Sequence, residues 1–310
     1  MTATALKPVC DVAWRNIVAV IPAYNEEKFI GSVILKTLKH VSTIIVVDDG
    51  SADSTAEIAE EAGALVVRHT VNQGKGVALN TGFLKARELN PDAIVTIDAD
   101  GQHLPEEIPL VTAPILAGEA DIVIGSRYLE QKSDVPVQRV LGHQVFNFVT
   151  NQASGVPLTD SQSGFRAFSP NALRALSFNS QGFSVESEMQ FLAGQYKLRT
   201  VEAPITIHYH AKPKRPLIRH GLLVLNGLLQ LVGQYRPLLF FGIPGTIMML
   251  IGLLWGLWVI NIYRTSQMLA TGYAIVSQLL IVLGALFLFT GILLHSIRGL
   301  LLSTPRSRNE

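Results

Sequence analysis

Two stretches near the C-terminal end of the chain, Leu238–Ile262 and Ala274–Ile297, run almost without charge, the second broken only by His295. About 20 apolar residues at a 1.5 Å rise span a hydrocarbon core of roughly 30 Å, so each stretch is long enough to cross a bilayer. Two such runs in succession make poor core helices of a soluble domain. The chain is therefore expected to carry two transmembrane helices, about 238–262 and 274–297, behind a water-soluble part. Trp255 and Trp258 fall in mid-segment, so they read as no aromatic belt. Arg219 and Arg236 precede the pair, Arg298, Arg306 and Arg308 follow it, and the connecting loop holds only Arg264. By the positive-inside rule both ends lie in the cytoplasm, with a short loop outside.

The formal net charge of +1 conceals an asymmetry. Residues 1–210 carry an acidic excess, whereas residues 211–310 hold nine Lys/Arg against one Asp/Glu. That division indicates an acidic soluble part and a basic part facing anionic lipid. The boundary is placed at the basic, Pro-punctuated Lys212-Pro213-Lys214-Arg215-Pro216. The expected domains are 1–210, cytosolic; 211–236, a basic linker with an interfacial amphipathic helix over Pro216–Tyr235; and 237–310, the two spans with a short basic tail. The single Cys10 excludes an internal disulfide and argues against a thiolate metal site. Met1–Arg15 lacks the continuous apolar core of a signal peptide, so the soluble part is expected to stay in the cytosol.

Within the soluble part, short apolar runs alternate with helical patterns. Strands are expected at Ile17–Ile21, Thr43–Val47, Ala64–Arg68, Ala93–Ile97, Asp121–Gly125 and Arg199–Tyr209, with a short one entered from the polar loop Thr159–Arg166. Helices are expected over Phe29–Leu38, from Asp53 or Ser54 to Glu61, over Val77–Glu88, Pro105–Leu116, Gln138–Asn151 and Phe183–Tyr196. Repeating βα units imply an α/β fold with a largely parallel sheet, whose ligands bind beyond the carboxyl ends of the strands. Glu26, Asp49, Asp98, Asp100 and Arg127 all fall just past such ends.

Of these, Ala93-Ile94-Val95-Thr96-Ile97-Asp98-Ala99-Asp100-Gly101-Gln102-His103 is the most informative. A β-branched run stops in two carboxylates one residue apart, which repel unless a cation lies between them. A hard divalent ion shared with a substrate phosphate would resolve that repulsion. A strand followed by a polar turn would give the same residues.

Val20-Ile21-Pro22-Ala23-Tyr24-Asn25-Glu26-Glu27, Val46-Val47-Asp48-Asp49-Gly50-Ser51, Asn72-Gln73-Gly74-Lys75-Gly76, Asp98-Ala99-Asp100-Gly101-Gln102-His103 and Gly125-Ser126-Arg127 occur in that order. Together they resemble the family 2 glycosyltransferases of GT-A fold, and within them the polyprenyl-phosphate (dolichol-phosphate) mannosyl and glucosyl synthases. The resemblance covers about residues 17–210. It implies a mostly parallel Rossmann-like mixed sheet and transfer of a single hexose from a nucleotide sugar, GDP-mannose or UDP-glucose, to a polyprenyl or dolichyl phosphate. Pro22, Tyr24 and Glu26 match positions that hold the nucleotide base; Val47 and Asp49 lie beside base and ribose; Asp98 and Ala99 match the ribose and phosphate side. Asp100 and Gln102 match the metal pair, suited to Mg²⁺ or Mn²⁺. Arg127 matches a contact to the donor phosphates and Arg139 one to the acceptor phosphate, with Lys212 and Lys214 on a basic lip beside it. Asp100, Arg127 and Arg139 are thus the catalytic candidates. Ser184 stands where the mannosyl enzymes carry a Lys, and His210-Ala211-Lys212-Pro213-Lys214 replaces their basic Gly-Glu-Ser-Lys stretch, which leaves the sugar open.

The acceptor is a phosphate monoester, ionised near neutral pH, and needs little general-base help; Asp160 and Glu186 lie where they could approach it. Lys75 reads equally as a phosphate contact or a solvated loop residue, and His103 as a partner of the acids or a surface residue. A processive polysaccharide synthase and a non-catalytic membrane-anchored partner are the competing readings. The first lacks its Arg-Trp dipeptide here, and the intact acidic set argues against the second. Nothing points to nucleic acid, membrane lipid is an expected partner, and a homo-oligomer is left open.

Overall fold

A computed structural model of the chain describes residues 15–129, 137–178, 185–207, 233, 236–268 and 270–303. The chain divides into two compact units between Leu222 and Leu223. The linker at 212–216 and the interfacial helix expected over Pro216–Tyr235, Gly233 apart, lie outside the described residues.

The first unit is built on seven strands: β1 (Ile17–Ala23), β2 (Thr43–Asp48), β3 (Leu65–Arg68), β4 (Ala93–Thr96), β5 (Ile122–Ser126), β6 (Arg166–Phe168) and β7 (Thr200–Pro204). Their order is β3-β2-β1-β4-β6-β5-β7. β6 runs antiparallel to β4 and β5, and every other pairing is parallel. The central strands are unbroken apolar runs because both faces of the sheet are covered: Val18–Ile21, Ile44–Val47 and Ala93–Val95 are all buried. The crossovers are α1 (Ile30–Thr37), α2 (Thr55–Glu61), α3 (Lys75–Glu88) and α4 (Ile108–Leu116), the last entered through a 3₁₀ turn at Pro105–Glu107; α5 (Val137–Ser154), α6 (Pro170–Ala175) and α7 (Val185–Gln195) follow among the described residues. Since β1, β2, β4 and β5 point the same way, their C-terminal ends share one rim.

Two differences from expectation have local causes. α3 begins at Lys75, two residues earlier than its apolar spacing suggests, because the residues ahead of it are held by Asp49 (below). The six-residue α6 has too few residues to show a periodicity; it forms because Pro170 presets its first turn and Ser169 accepts the Ala172 N–H at 3.1 Å.

The second unit is a helical hairpin. A π-helical turn, Leu238–Gly242, leads into α8 (Ile243–Ser266), and α9 (Thr271–Ser303) returns. Pro244 has no N–H to give the preceding turn, which accounts for the widened helix there. Leu238–Ser266 and Thr271–Gly299 are both long and apolar enough to cross a membrane, and only 17% of either window is buried. The outward faces are Leu, Ile, Phe and Trp, a surface suited to lipid, and the chain is a membrane protein. The helices meet along small residues: a Cβ on Gly245 would lie 2.7 Å from the Gly284 carbonyl, and one on Gly284 2.6 Å from the Gly245 carbonyl. Ser277 donates to the Gly252 carbonyl at 2.8 Å. Trp255 and Trp258 are in mid-segment as expected, and both pack on Tyr273 near the start of α9.

Candidate active site

Asp98 and Asp100 stand beyond the tip of β4, where the buried Ile97 ends the strand's apolar run. Asp98 is held from three sides. Lys75 Nζ donates to Oδ1 at 2.6 Å, His103 Nε2 lies 3.5 Å from Oδ2, and the α-carbon of Gly164 packs directly on the carboxylate, leaving no space for a side chain there. Burial alone would raise its pKa, but the Lys75 ammonium and the His103 ring hold the Asp98 carboxyl well below the usual range. Asp100 behaves in the opposite way. Its burial, and then the Asp98 charge, push its carboxyl up. Gln102 folds back on it, with the backbone N–H donating to Oδ1 at 3.1 Å and Nε2 to Oδ2 at 2.8 Å. Among the described residues no Lys, Arg or His forms an ion pair with Asp100.

Lys75 does more than the sequence suggests. Its ammonium also donates to Glu186 Oε1 at 2.7 Å, joining the β4 tip to the first turn of α7. Burial would lower its pKa, but Asp98 and Glu186 together hold it above the usual lysine value. Asp49 places this lysine. It follows β2, is buried, and accepts the backbone N–H groups of Gln73 at 3.0 Å and Gly74 at 2.7 Å, fixing the two residues ahead of α3. His69 Nδ1 braces the same carboxylate at 2.7 Å, and Thr81 meets Nε2 at 3.0 Å. Gly50 completes the turn at φ +74°, where a Cβ would strike the Val71 backbone at 2.7 Å.

The base-side candidates gather at the adjoining strand ends. Pro22 and Val47 are register partners across β1 and β2. Tyr24 is 46% exposed, while the Val47 side chain is wholly buried. The Glu26 N–H donates to Thr55 Oγ1 at 2.8 Å, and Ala99 is buried between the two acids.

Arg127 follows β5, and its guanidinium meets Asp160 in a fork, Nε to Oδ2 and Nη2 to Oδ1, both at 2.6 Å. Its backbone N–H adds a third bond to Oδ2 at 3.1 Å. Glu202 in turn accepts the N–H groups of Thr159 and Asp160. The buried Arg166 stitches the next residues, donating to the carbonyls of Ser161 and Ser163, both at 2.8 Å, and of Glu186 at 3.2 Å. Arg166, Glu202, His69 and Gly164 were not singled out from sequence. Arg139 lies in the first turn of α5; its side chain, and Lys212, Lys214, Phe183 and Ser184, are outside the described residues.

The donor set suits a hard divalent ion. Asp100 is a carboxylate with no ion-pair partner among the described residues, beside a second carboxylate and an amide. No group of three or more His, Cys, Asp or Glu able to hold a metal ion is found among the described residues.

The mostly parallel sheet sets Asp98 and Asp100 beyond the carboxyl end of β4, where open α/β sheets bind their ligands. Residues 18–177 match glycosyl transferase family 2, and the chain belongs to that family. It is 38% identical over 220 residues to the UDP-N-acetylglucosamine–dolichyl-phosphate N-acetylglucosaminyltransferase of Methanococcus voltae, covering 64% of this chain and 88% of that one. It is 32% identical over 203 residues to the undecaprenyl-phosphate mannosyltransferase of Micrococcus luteus, covering 62% and 83%. The glucosyl-3-phosphoglycerate synthase of Mycobacterium tuberculosis, crystallised with Mn²⁺, uridine diphosphate and phosphoglyceric acid, superposes with a TM-score of 0.56 at 27% identity, covering 71% of this chain and 79% of that one. The protein is a glycosyltransferase.

Proposed function

We propose that the protein is a membrane-bound inverting transferase that moves one hexose from a nucleoside-diphosphate sugar to a polyprenyl or dolichyl phosphate. The observation that carries this reading is the pairing in one chain of an Asp98–Asp100–Gln102 rim with a lipid-facing helical hairpin. The relatives named for dolichyl-phosphate and undecaprenyl-phosphate transfer support the acceptor class. The positive-inside distribution supports a cytoplasmic catalytic unit and cytoplasmic termini.

The chemistry is an in-line displacement. An acceptor phosphate oxygen bonds to the anomeric carbon as the bond from that carbon to the diphosphate oxygen breaks, and the diphosphate leaves with the electron pair. The acceptor oxygen is already ionised, so no side chain has to take a proton. That agrees with the state of the two candidate bases: Asp160 is spent on Arg127 and Glu186 on Lys75. Asp100 and Gln102 would hold Mg²⁺ or Mn²⁺, which stabilises the charge developing on the leaving diphosphate. Pro22, Tyr24, Glu26, Val47, Asp49, Asp98 and Ala99 form the nucleotide side, through side chains where exposed and through backbone at Val47. Arg127, aimed by Asp160, faces the donor phosphates; Arg139, with Lys212 and Lys214, serves the acceptor.

Thermal shift tests the donor side. Binding to the folded state raises the midpoint by mass action. One of GDP-mannose, UDP-glucose or UDP-N-acetylglucosamine should raise it with Mn²⁺ and much less without. A flat response to all three would contradict the reading.

A further inference from the structure

Lys75 is a charged side chain of the rim whose position no part of the proposed transfer requires, yet it is firmly held. A solvated lysine would be loose. This one begins a 14-residue helix whose entry is fixed by Asp49, and it spends its charge on two carboxylates from distant parts of the chain, at 2.6 and 2.7 Å. The carboxylates of Asp98 and Glu186 are thus brought within two hydrogen bonds of each other, with Asp100 two residues along the chain from Asp98. Without the ammonium, Asp98 and Glu186 would be two carboxylates facing the point that the Lys75 Nζ occupies. A divalent cation would be drawn into it, whether or not a nucleotide came too.

We infer that Lys75 is a positioning residue that occupies Asp98 and Glu186 as an internal counter-ion, so that a divalent cation enters the rim together with a nucleoside diphosphate and not alone. The inference rests on the transferase reading. The physical reason is charge balance. A free dication approaching Asp98 and Asp100 meets an ammonium already bound to Asp98 and is repelled by it. A dication carried by a diphosphate arrives with negative charge that cancels this repulsion and supplies the oxygens the protein lacks. The consequence for the reaction is order: Asp98 and Glu186 stay charge-neutralised until the cation and the donor arrive together.

The test is Mn²⁺ titration of the full chain in detergent, with free Mn²⁺ read by electron paramagnetic resonance, with and without saturating UDP or GDP. Nucleotide-free Lys75→Met should bind Mn²⁺ at least tenfold tighter than wild type, and the difference should shrink with nucleotide present. Lys75→Arg, which keeps the charge, should stay near wild type. If Lys75→Met does not fold, the double variant Lys75→Met with Glu186→Gln removes the pair together, leaves Asp98 without its ammonium, and should show a smaller gain in the same direction. Equal or weaker Mn²⁺ binding by the neutral variant overturns the role of Lys75. Wild type that takes up no Mn²⁺ even with either nucleotide overturns the transferase reading itself, so the two failures are distinguishable.

Discussion

Arg127 and Asp160 are joined by two parallel bonds of 2.6 Å, and Asp160 is 1% exposed. The fork removes the guanidinium's freedom about its own plane. It also ties the end of β5 to the loop that leads into β6.

Asp160→Asn should therefore misaim Arg127 without removing it. Charge-assisted hydrogen bonds are worth about 1.5–3 kcal/mol each, so kcat/KM should fall about tenfold or more. Steady-state kinetics check this, and a value within twofold of wild type would show that Arg127 needs no such support.

Gly164→Ala tests how closely the β4 tip is packed. A Cβ there would collide with the Asp98 carboxylate. Transfer should drop at least tenfold while far-ultraviolet circular dichroism stays that of the native fold. An active variant would mean that Asp98 can move without consequence.

Much of this architecture is legible in the chain itself. The strands of the rim show as apolar runs that stop in Asp48-Asp49, Asp98-Ala99-Asp100 and Ser126-Arg127, because a sheet covered on both faces leaves no alternation to blur their ends. The membrane hairpin is equally plain. What the sequence does not carry is partnership over distance. Lys75 reads as a loop residue because nothing near it says that Asp49, 25 positions before Gly74, caps the turn ahead of α3. The bond from Lys75 to Glu186 spans 111 positions, and that from Arg127 to Asp160 spans 33. Residue type and local spacing are silent about both. The direction of β6 is likewise hidden, since three residues buried on both sides pair as well parallel as antiparallel.

Asp121 offers a pH-dependent check on the β5 edge. The Arg199 guanidinium beside it, with the Arg199 N–H at 3.0 Å, holds its carboxyl below the usual range. A folded-state pKa below the unfolded value of about 3.9 stabilises the fold at neutral pH, and the gain is lost as pH falls through the folded pKa. Asp121→Asn should lower the thermal midpoint at pH 7, and the gap from wild type should close below about pH 4. A gap that stays constant with pH would contradict the ion-pair account.

The hairpin predicts its own sensitivity. Gly284→Val places methyl groups where even a Cβ lies 2.6 Å from the Met249 nitrogen. Overpacking of this kind costs about 1–3 kcal/mol. The detergent-solubilised protein should melt earlier, with nucleotide affinity unchanged. A loss of nucleotide affinity instead would show that the hairpin's packing governs the donor site.

The central claim is transfer of one hexose to a lipid phosphate at the Asp100 rim. Its most direct measurement is a transfer assay of the membrane-embedded protein with labelled nucleotide sugar and undecaprenyl or dolichyl phosphate, run for wild type and Asp100→Ala, with Mn²⁺ and with EDTA. The account predicts a lipid product carrying a single sugar of inverted anomeric configuration, lost with EDTA, restored by Mn²⁺, and reduced at least a hundredfold by Asp100→Ala, the order expected when stabilisation of leaving-group charge is removed. Polymer in place of a single sugar, no sugar on lipid from any donor of the panel, or full turnover by Asp100→Ala would contradict it.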